Sequence, residues 1–189
     1  MSTTRPRSAS NRRLALFLAA AIVPPVALFL GPFRKYSFPP DVETVRAVAR
    51  VAELRPDGER IRAWLADAAL DAADVEPIAR AFEDGRFGDA ALALERVAPD
   101  HATSGVRLLF GIAELLDQRP AAALPGLQDA AGSPRPELRS EGQFALGQAL
   151  LLLGRTDDAE RRLAELVSAS GGPRRDLAAR QLSELRALR

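Results

Sequence analysis

Apolar residues recur every three to four positions along most of the chain beyond residue 40, the spacing that places them on one face of a helix. No stretch shows the alternation of apolar and polar positions that is typical of a half-buried strand. Segments rich in glycine and proline punctuate this pattern. It predicts an all-α protein, with helices over residues 74–84, 87–98, 104–117, 120–131, 136–153, 157–169 and 174–188.

The region 41–70 is predicted to form a further helix hairpin. Its first helix begins near Asp41 and presents an apolar face made of Val42, Val45, Val48, Ala49 and Ala52. The turn Arg55-Pro56-Asp57-Gly58 follows. The second helix carries Ile61, Trp64, Leu65 and Ala68 on one face, so Trp64 is expected in the core.

An uncharged apolar stretch from Leu14 to Leu30 precedes this helical region and extends to Phe33. At about 1.5 Å per residue, a helix of this length just crosses a hydrocarbon core of about 30 Å. We therefore predict a transmembrane anchor over 14–33. Pro24-Pro25 lies in its middle and should kink the helix, because proline removes a main-chain donor.

Two alternatives to this anchor fit the sequence less well. A cleaved signal peptide needs small residues after its apolar stretch, whereas bulky residues follow Leu28. A re-entrant hairpin would have halves too short to cross the bilayer. Because basic residues are denser before the span than after it, we expect the N-terminus in the cytoplasm. The C-terminal domain would then be periplasmic or otherwise extracytoplasmic, anchored in the inner membrane of a bacterium by a single pass.

Small and large residues repeat in register along the helical region. Ala90, Ala123 and Ala159 are spaced 33 and 36 residues apart, and a leucine follows each of them four residues later. Small residues let two antiparallel helices approach closely, and the larger ones fill the space against the next hairpin. Further positions fit the same register: Val97, Ala130 and Leu166, then Gly111 and Gly147 in the first helices, and Gly85 and Gly154 in the turns.

This pattern resembles the tetratricopeptide repeat family, whose period is 34 residues. The third repeat, about 140–173, matches best, through Leu146, Gly147, Leu150, Gly154, Ala159, Leu163 and Leu166. The second, about 104–137, has Gln118 where the turn glycine belongs. The first, about 71–104, has Ile78 where a small residue is usual. No repeat has the family's early tryptophan or its final proline at the expected place, so another Ala-rich helical bundle is the alternative.

The domain organisation expected from these patterns has six parts. A basic tail spans 1–13, the anchor 14–33, a linker 34–40, the first helix hairpin 41–70, three tetratricopeptide-like repeats 71–173, and a capping helix 174–189. The expected fold is an N-terminal transmembrane helix followed by a solenoid of helix hairpins. At least three such hairpins are needed to bury their apolar faces.

The resemblance implies a partner-binding groove along the first helix of each repeat. Carried over onto this sequence, its positions are Ala79, Phe82, Leu108, Ile112, Leu115, Phe144, Gln148 and Leu151. They are mostly apolar, which favours a hydrophobic peptide or a partner helix over a charged chain end. The alternative is a groove filled by the 41–70 hairpin of this chain or by a second copy of it.

The composition of the chain argues against several classes of function. The chain has no cysteine and a single histidine, His101, so we expect no metal, no cofactor and no thiolate chemistry. Residues 1–35 carry a charge of +6 and residues 36–189 a charge of −5, which does not describe a nucleic-acid-binding domain. Asp157 and Asp158 begin a predicted helix, capped by Thr156, where the helix dipole accounts for them.

The function expected from the sequence is a membrane-anchored protein–protein interaction scaffold, an assembly or chaperone-like factor that uses an apolar groove. One alternative is a structural accessory subunit of a large membrane complex, with its groove permanently occupied. A lipid-binding groove is a further alternative. An enzyme is not expected, because no cluster of residues would support hydrolysis or metal chemistry.

Overall fold

The computed structural model describes residues 42–99, 101–169 and 172–188, all within one compact unit. The predicted anchor over 14–33 lies outside them. Over these ranges the chain forms α-helices and short 3-10 turns with no strand, so the all-α prediction is confirmed. The helices are α1 (Val42–Ala47), α2 (Gly58–Leu65), α3 (Ala72–Glu83), α4 (Phe87–Val97), α5 (Ser104–Leu116), α6 (Pro120–Ala131), α7 (Pro136–Leu152), α8 (Thr156–Ser168) and α9 (Arg175–Ala187).

Three successive helix hairpins form the body of this unit: α3 with α4, α5 with α6, and α7 with α8. Each helix from α3 to α9 packs against the next one in the chain, and the first helices α5 and α7 also contact each other. The seven helices predicted beyond residue 70 have ends within two residues of those observed. Their apolar faces join in a single buried core that extends from Val45 to Leu185.

The three hairpins turn in the same way. Gly85, Gln118 and Gly154 each have a left-handed backbone, with φ of 74°, 61° and 72°. In each turn the next residue, an arginine, donates its main-chain N–H to the carbonyl five residues back, as in Arg119 to Glu114 at 2.8 Å. This is the Schellman ending of a helix. The turns recur at the same intervals of 33 and 36 residues as the small residues do.

Gln118 is the one side chain that occupies this left-handed turn position, and it is exposed. A residue with a Cβ atom is strained there by about 1 kcal/mol, whereas glycine is not. We expect Gln118→Gly to raise the free energy of unfolding by about 0.5–1 kcal/mol, measured by urea denaturation of the full chain. Gly85→Ala, which introduces the same strain at the equivalent turn, should lower it by a similar amount. Equal stability of all three proteins would contradict this account of the turn.

Glycines in the first helices permit the close approach that the sequence predicts. A Cβ atom on Gly111 would lie 2.6 Å from the Leu127 side chain, and one on Gly147 would lie 3.1 Å from Leu163. Both leucines are fully buried. The large side chain of one helix thus packs directly on the glycine of the other helix in the same hairpin.

The region 41–70 departs from its prediction. Instead of one helix through Ala52, α1 ends at Ala47, and a 3-10 turn follows over Val51–Leu54. Another 3-10 turn over Ala66–Ala68 ends α2. The α1 helix stops because main-chain groups beyond it bond to side chains of α7 and α9.

The expected cap by Thr156 is also wrong: Arg155 is the N-cap of α8, and no side-chain hydrogen bond caps that helix.

Candidate interaction groove

The eight predicted groove residues lie on three first helices, and all of them are buried. Ala79 and Phe82 come from α3, and the others from α5 and α7. None is more than 1% exposed. The structure therefore brings these side chains into one core, and none of them forms an open surface by itself.

The chain covers this groove with its own residues 42–54, hereafter the covering segment. Its helix α1 contacts α7, and its 3-10 turn contacts both α5 and α7. Val45 and Leu54 are each 1% exposed and supply its buried apolar side chains. The structure thus agrees with the alternative in which the region 41–70 fills the groove. Binding of a partner by the eight positions stays a prediction.

Two glutamine side chains hold the middle of the covering segment. The Gln148 and Gln181 side chains bond to each other in both directions, at 2.8 and 2.9 Å. Gln148 Oε1 also accepts the Arg50 main-chain N–H at 2.8 Å, and Gln181 Nε2 donates to the Val48 carbonyl at 2.9 Å. Both side chains are fully buried. They satisfy the main-chain groups that would otherwise be left unpaired where α1 ends.

Further polar contacts tie the covering segment to its surroundings. Arg50 pairs with Glu184 of α9 at 2.6 Å, and Arg46 Nε donates to the Leu152 carbonyl at 3.0 Å. These contacts are exposed, so each contributes less than the buried amides. The segment is therefore held at both its sides, by α7 and by α9.

A buried ion pair lies beside the glutamines. Glu141 is 1% exposed and accepts a hydrogen bond from Arg174 Nε at 2.8 Å. The Arg174 guanidinium lies 5.3 Å from the centre of the Phe144 ring and donates to the Glu53 carbonyl at 2.9 Å. Arg174 thus connects the covering segment to the groove floor, because the same side chain contacts both.

Sequence reasoning singled out Gln148 as a groove position but missed Gln181, Glu141 and Arg174 as its neighbours. The available signal was two polar residues on helix faces that are otherwise apolar, Glu141 on α7 and Gln181 on α9. A polar residue at a buried position requires a partner. The periodicity alone does not identify that partner, which lies 33 residues away for each of the two pairs.

One part of the groove remains open, at the end of the covering segment. This depression, hereafter the groove mouth, has a volume of about 590 Å³ and is lined by Arg46, Val51, Ala52, Leu115, Leu116, Gln118, Pro120 and Leu152. Its lining is mostly apolar. Leu115 is the only predicted groove residue among these lining residues. A second depression, of about 660 Å³, lies between the covering segment and α9.

No group of three metal-ligating side chains occurs among the described residues. Burial raises the pKa of the Glu114 carboxyl, which Arg119 approaches to 3.0 Å. Trp64 is 1% exposed and donates to Glu137 at 3.3 Å, so its expected core position is confirmed.

Comparisons with known proteins assign no function to this chain, so its function has to be inferred from the geometry of the structure. No protein family, no curated protein and no solved structure matches this chain. Among the helices of the described ranges, none has both the length and the hydrophobicity needed to cross a bilayer.

Proposed function

We propose that this chain is a membrane-anchored scaffold for protein–protein interaction, in which a tetratricopeptide-like stack presents the groove mouth to an apolar partner. The anchor is the stretch 14–33, and the helical domain lies outside the cytoplasm. The partner contributes a hydrophobic peptide or helix, and the function is binding without catalysis. The groove mouth is the observation that carries the proposal.

The shape and lining of the groove mouth support this function. Apolar depressions that remain open to solvent on a helical scaffold favour an apolar side chain of a partner. Val51, Ala52, Leu116 and Leu152 supply an apolar lining, and Arg46 and Gln118 offer polar groups beside it. A volume of about 590 Å³ accommodates several side chains rather than one.

The alternative is a structural accessory subunit whose groove is permanently occupied. The bonds of the covering segment to Gln148 and Gln181 favour it, because they close most of the groove from within the same chain. In that case the partner binds to other surfaces, and the groove mouth stays accessible in the assembled complex.

Cysteine footprinting separates these two functions, since the natural chain has no cysteine. Ala52→Cys places a unique thiol in the groove mouth, and Gln128→Cys places one on the exposed face of α6 as the control. We expect a maleimide to label the Ala52 variant at least tenfold more slowly in cells that express it at its natural level than in purified full-length protein. The control variant should be labelled equally fast in both.

Introducing Leu152→Arg into the Ala52 variant should restore fast labelling in cells, because a charged side chain in the groove mouth excludes an apolar partner. Equal labelling of the Ala52 variant in cells and in the purified protein would contradict the proposal and favour the accessory-subunit alternative. Protection that persists in purified protein but disappears on dilution would instead identify a second copy of the chain as the occupant.

A further inference from the structure

A third depression lies on the first hairpin, and none of its lining residues lines the groove mouth. Residues of α3 and α4 form its walls, and its volume is about 430 Å³. We call it the arginine depression. Its lining includes Pro77, Leu92 and Ala93, the three arginines Arg80, Arg86 and Arg96, and the acid Asp89.

Two of its three arginines form no ion pair within the described residues. Arg86 is bonded to Asp84 and Asp89, at 2.9 and 2.7 Å. The Arg80 and Arg96 side chains form no ion pair and no hydrogen bond there, although the charge of Arg80 helps to lower the pKa of the Glu76 carboxyl. The nearby acid Glu76 is already bonded to Arg62, at 2.8 and 3.0 Å. The lining holds three arginines and one acid, Asp89, so its net charge is positive.

An apolar side chain is exposed in the same place. Leu92 is 52% exposed, which makes it, with Val42, one of two large hydrophobic residues on the described surface. Pro77 and Ala93 lie beside it. A single exposed leucine is ordinary, but this one lines the same concave surface as Arg80 and Arg96.

The other two hairpins do not repeat this combination. At the positions equivalent to Arg80, spaced by 33 and 36 residues, Ala113 and Ala149 are fully buried. At those equivalent to Arg96, the later hairpins have acids, Asp129 and Glu165, which pair with Arg107 and Arg162. Arg96 is thus basic where the two later hairpins have an acid. The positively charged depression is therefore specific to the first hairpin and does not recur in the other two.

We propose that the arginine depression binds an acidic segment of a partner protein, with carboxylates beside Arg80 and Arg96 and an apolar side chain against Leu92. Arginine pairs well with carboxylates because its planar guanidinium donates two parallel hydrogen bonds. The concave shape favours a peptide over a membrane surface, since a bilayer face reaches charges that protrude, not charges that flank a depression. Both arginines are exposed, so the binding is salt-dependent.

The test uses a photo-crosslinking amino acid in place of Leu92 in the full-length chain, expressed in its own cells. The captured peptide is identified by mass spectrometry. We expect crosslinks to a segment rich in Asp and Glu, with the yield reduced at least tenfold by Arg80→Glu combined with Arg96→Glu. Arg180→Glu is the matched control, because Arg180 is also exposed and takes part in no ion pair among the described residues.

Exchanging the charges completes the test. Replacing the acids of the captured segment by lysine should restore the crosslink to the doubly substituted chain. Crosslinks to lipid alone would overturn the proposal in favour of an anionic membrane surface. A yield that the double substitution leaves unchanged would also overturn it. Because the groove mouth is not altered, the outcome is independent of the proposed scaffold site.

Discussion

Gly105→Ala is expected to destabilise the protein more than any other single methyl addition in the first half of the repeat stack. The new Cβ atom would lie 1.9 Å from the main-chain oxygen of Trp64, which is far inside contact distance. A main-chain atom cannot rotate away, so α2 and α5 would have to separate. We expect a loss of about 3 kcal/mol in the free energy of unfolding, at the upper end for overpacked cores.

For a chain of this length, such a loss corresponds to a fall in Tm of about 6–12 °C. Circular dichroism during thermal and urea unfolding of the full-length chain measures both quantities. Gly88→Ala is the matched control, because its added Cβ atom would meet only the Asp117 carboxylate, at 3.3 Å, on a partly exposed side chain that can shift. The control should change stability by less than about 1 kcal/mol. A similarly small effect of Gly105→Ala would show that α2 does not pack on α5 as described.

Gln148→Met is expected to loosen the covering segment and to destabilise the protein by about 2–4 kcal/mol. Methionine fills a similar volume but cannot bond to the Arg50 N–H or to Gln181. Each buried polar group left unpaired costs about 1–3 kcal/mol. Hydrogen exchange should show faster exchange at the Arg50 amide than in the natural chain, whereas amides in the middle of α5 should change only with global stability.

A double-mutant cycle with Gln181→Met tests whether the two amides act as a pair. Once one amide is lost, removing the other leaves fewer additional polar groups unpaired. The double variant should therefore lose less free energy of unfolding than the sum of the two single losses, by about 1–3 kcal/mol. Gln128→Met on the exposed face of α6 is the control and should change stability by no more than about 0.5 kcal/mol. Additive losses would show that the reciprocal hydrogen bonds do not couple Gln148 to Gln181.

Much of the helical architecture could be predicted because it depends on local rules. The apolar periodicity located the helices, and the turn glycines Gly85 and Gly154 located two of the three turns. Gln118 kept the same turn conformation without a glycine, because the register of its hairpin imposed it. The helix hairpin predicted there from Gly111 and Ala123 is present, although its turn residue is unfavourable.

The prediction over 42–52 failed where tertiary contacts override the local pattern. The periodicity over 42–52 is helical, yet α1 ends at Ala47. Tertiary hydrogen bonds from Gln148 and Gln181 to the next residues replace the missing helical ones. The eight predicted groove positions are all buried in the structure, and their exposure depends on what covers them.

By itself the sequence determined the all-α class and the positions of the helices beyond residue 70. Only the tertiary structure decided which surfaces remain open. Contacts between Arg50 and Gln148 span 98 residues, and those between Val48 and Gln181 span 133. Periodicity reports which face of a helix is apolar, because that depends on residues three or four positions apart. It does not report which distant segment covers that face, and this is why the groove mouth and the arginine depression emerged only in the folded chain.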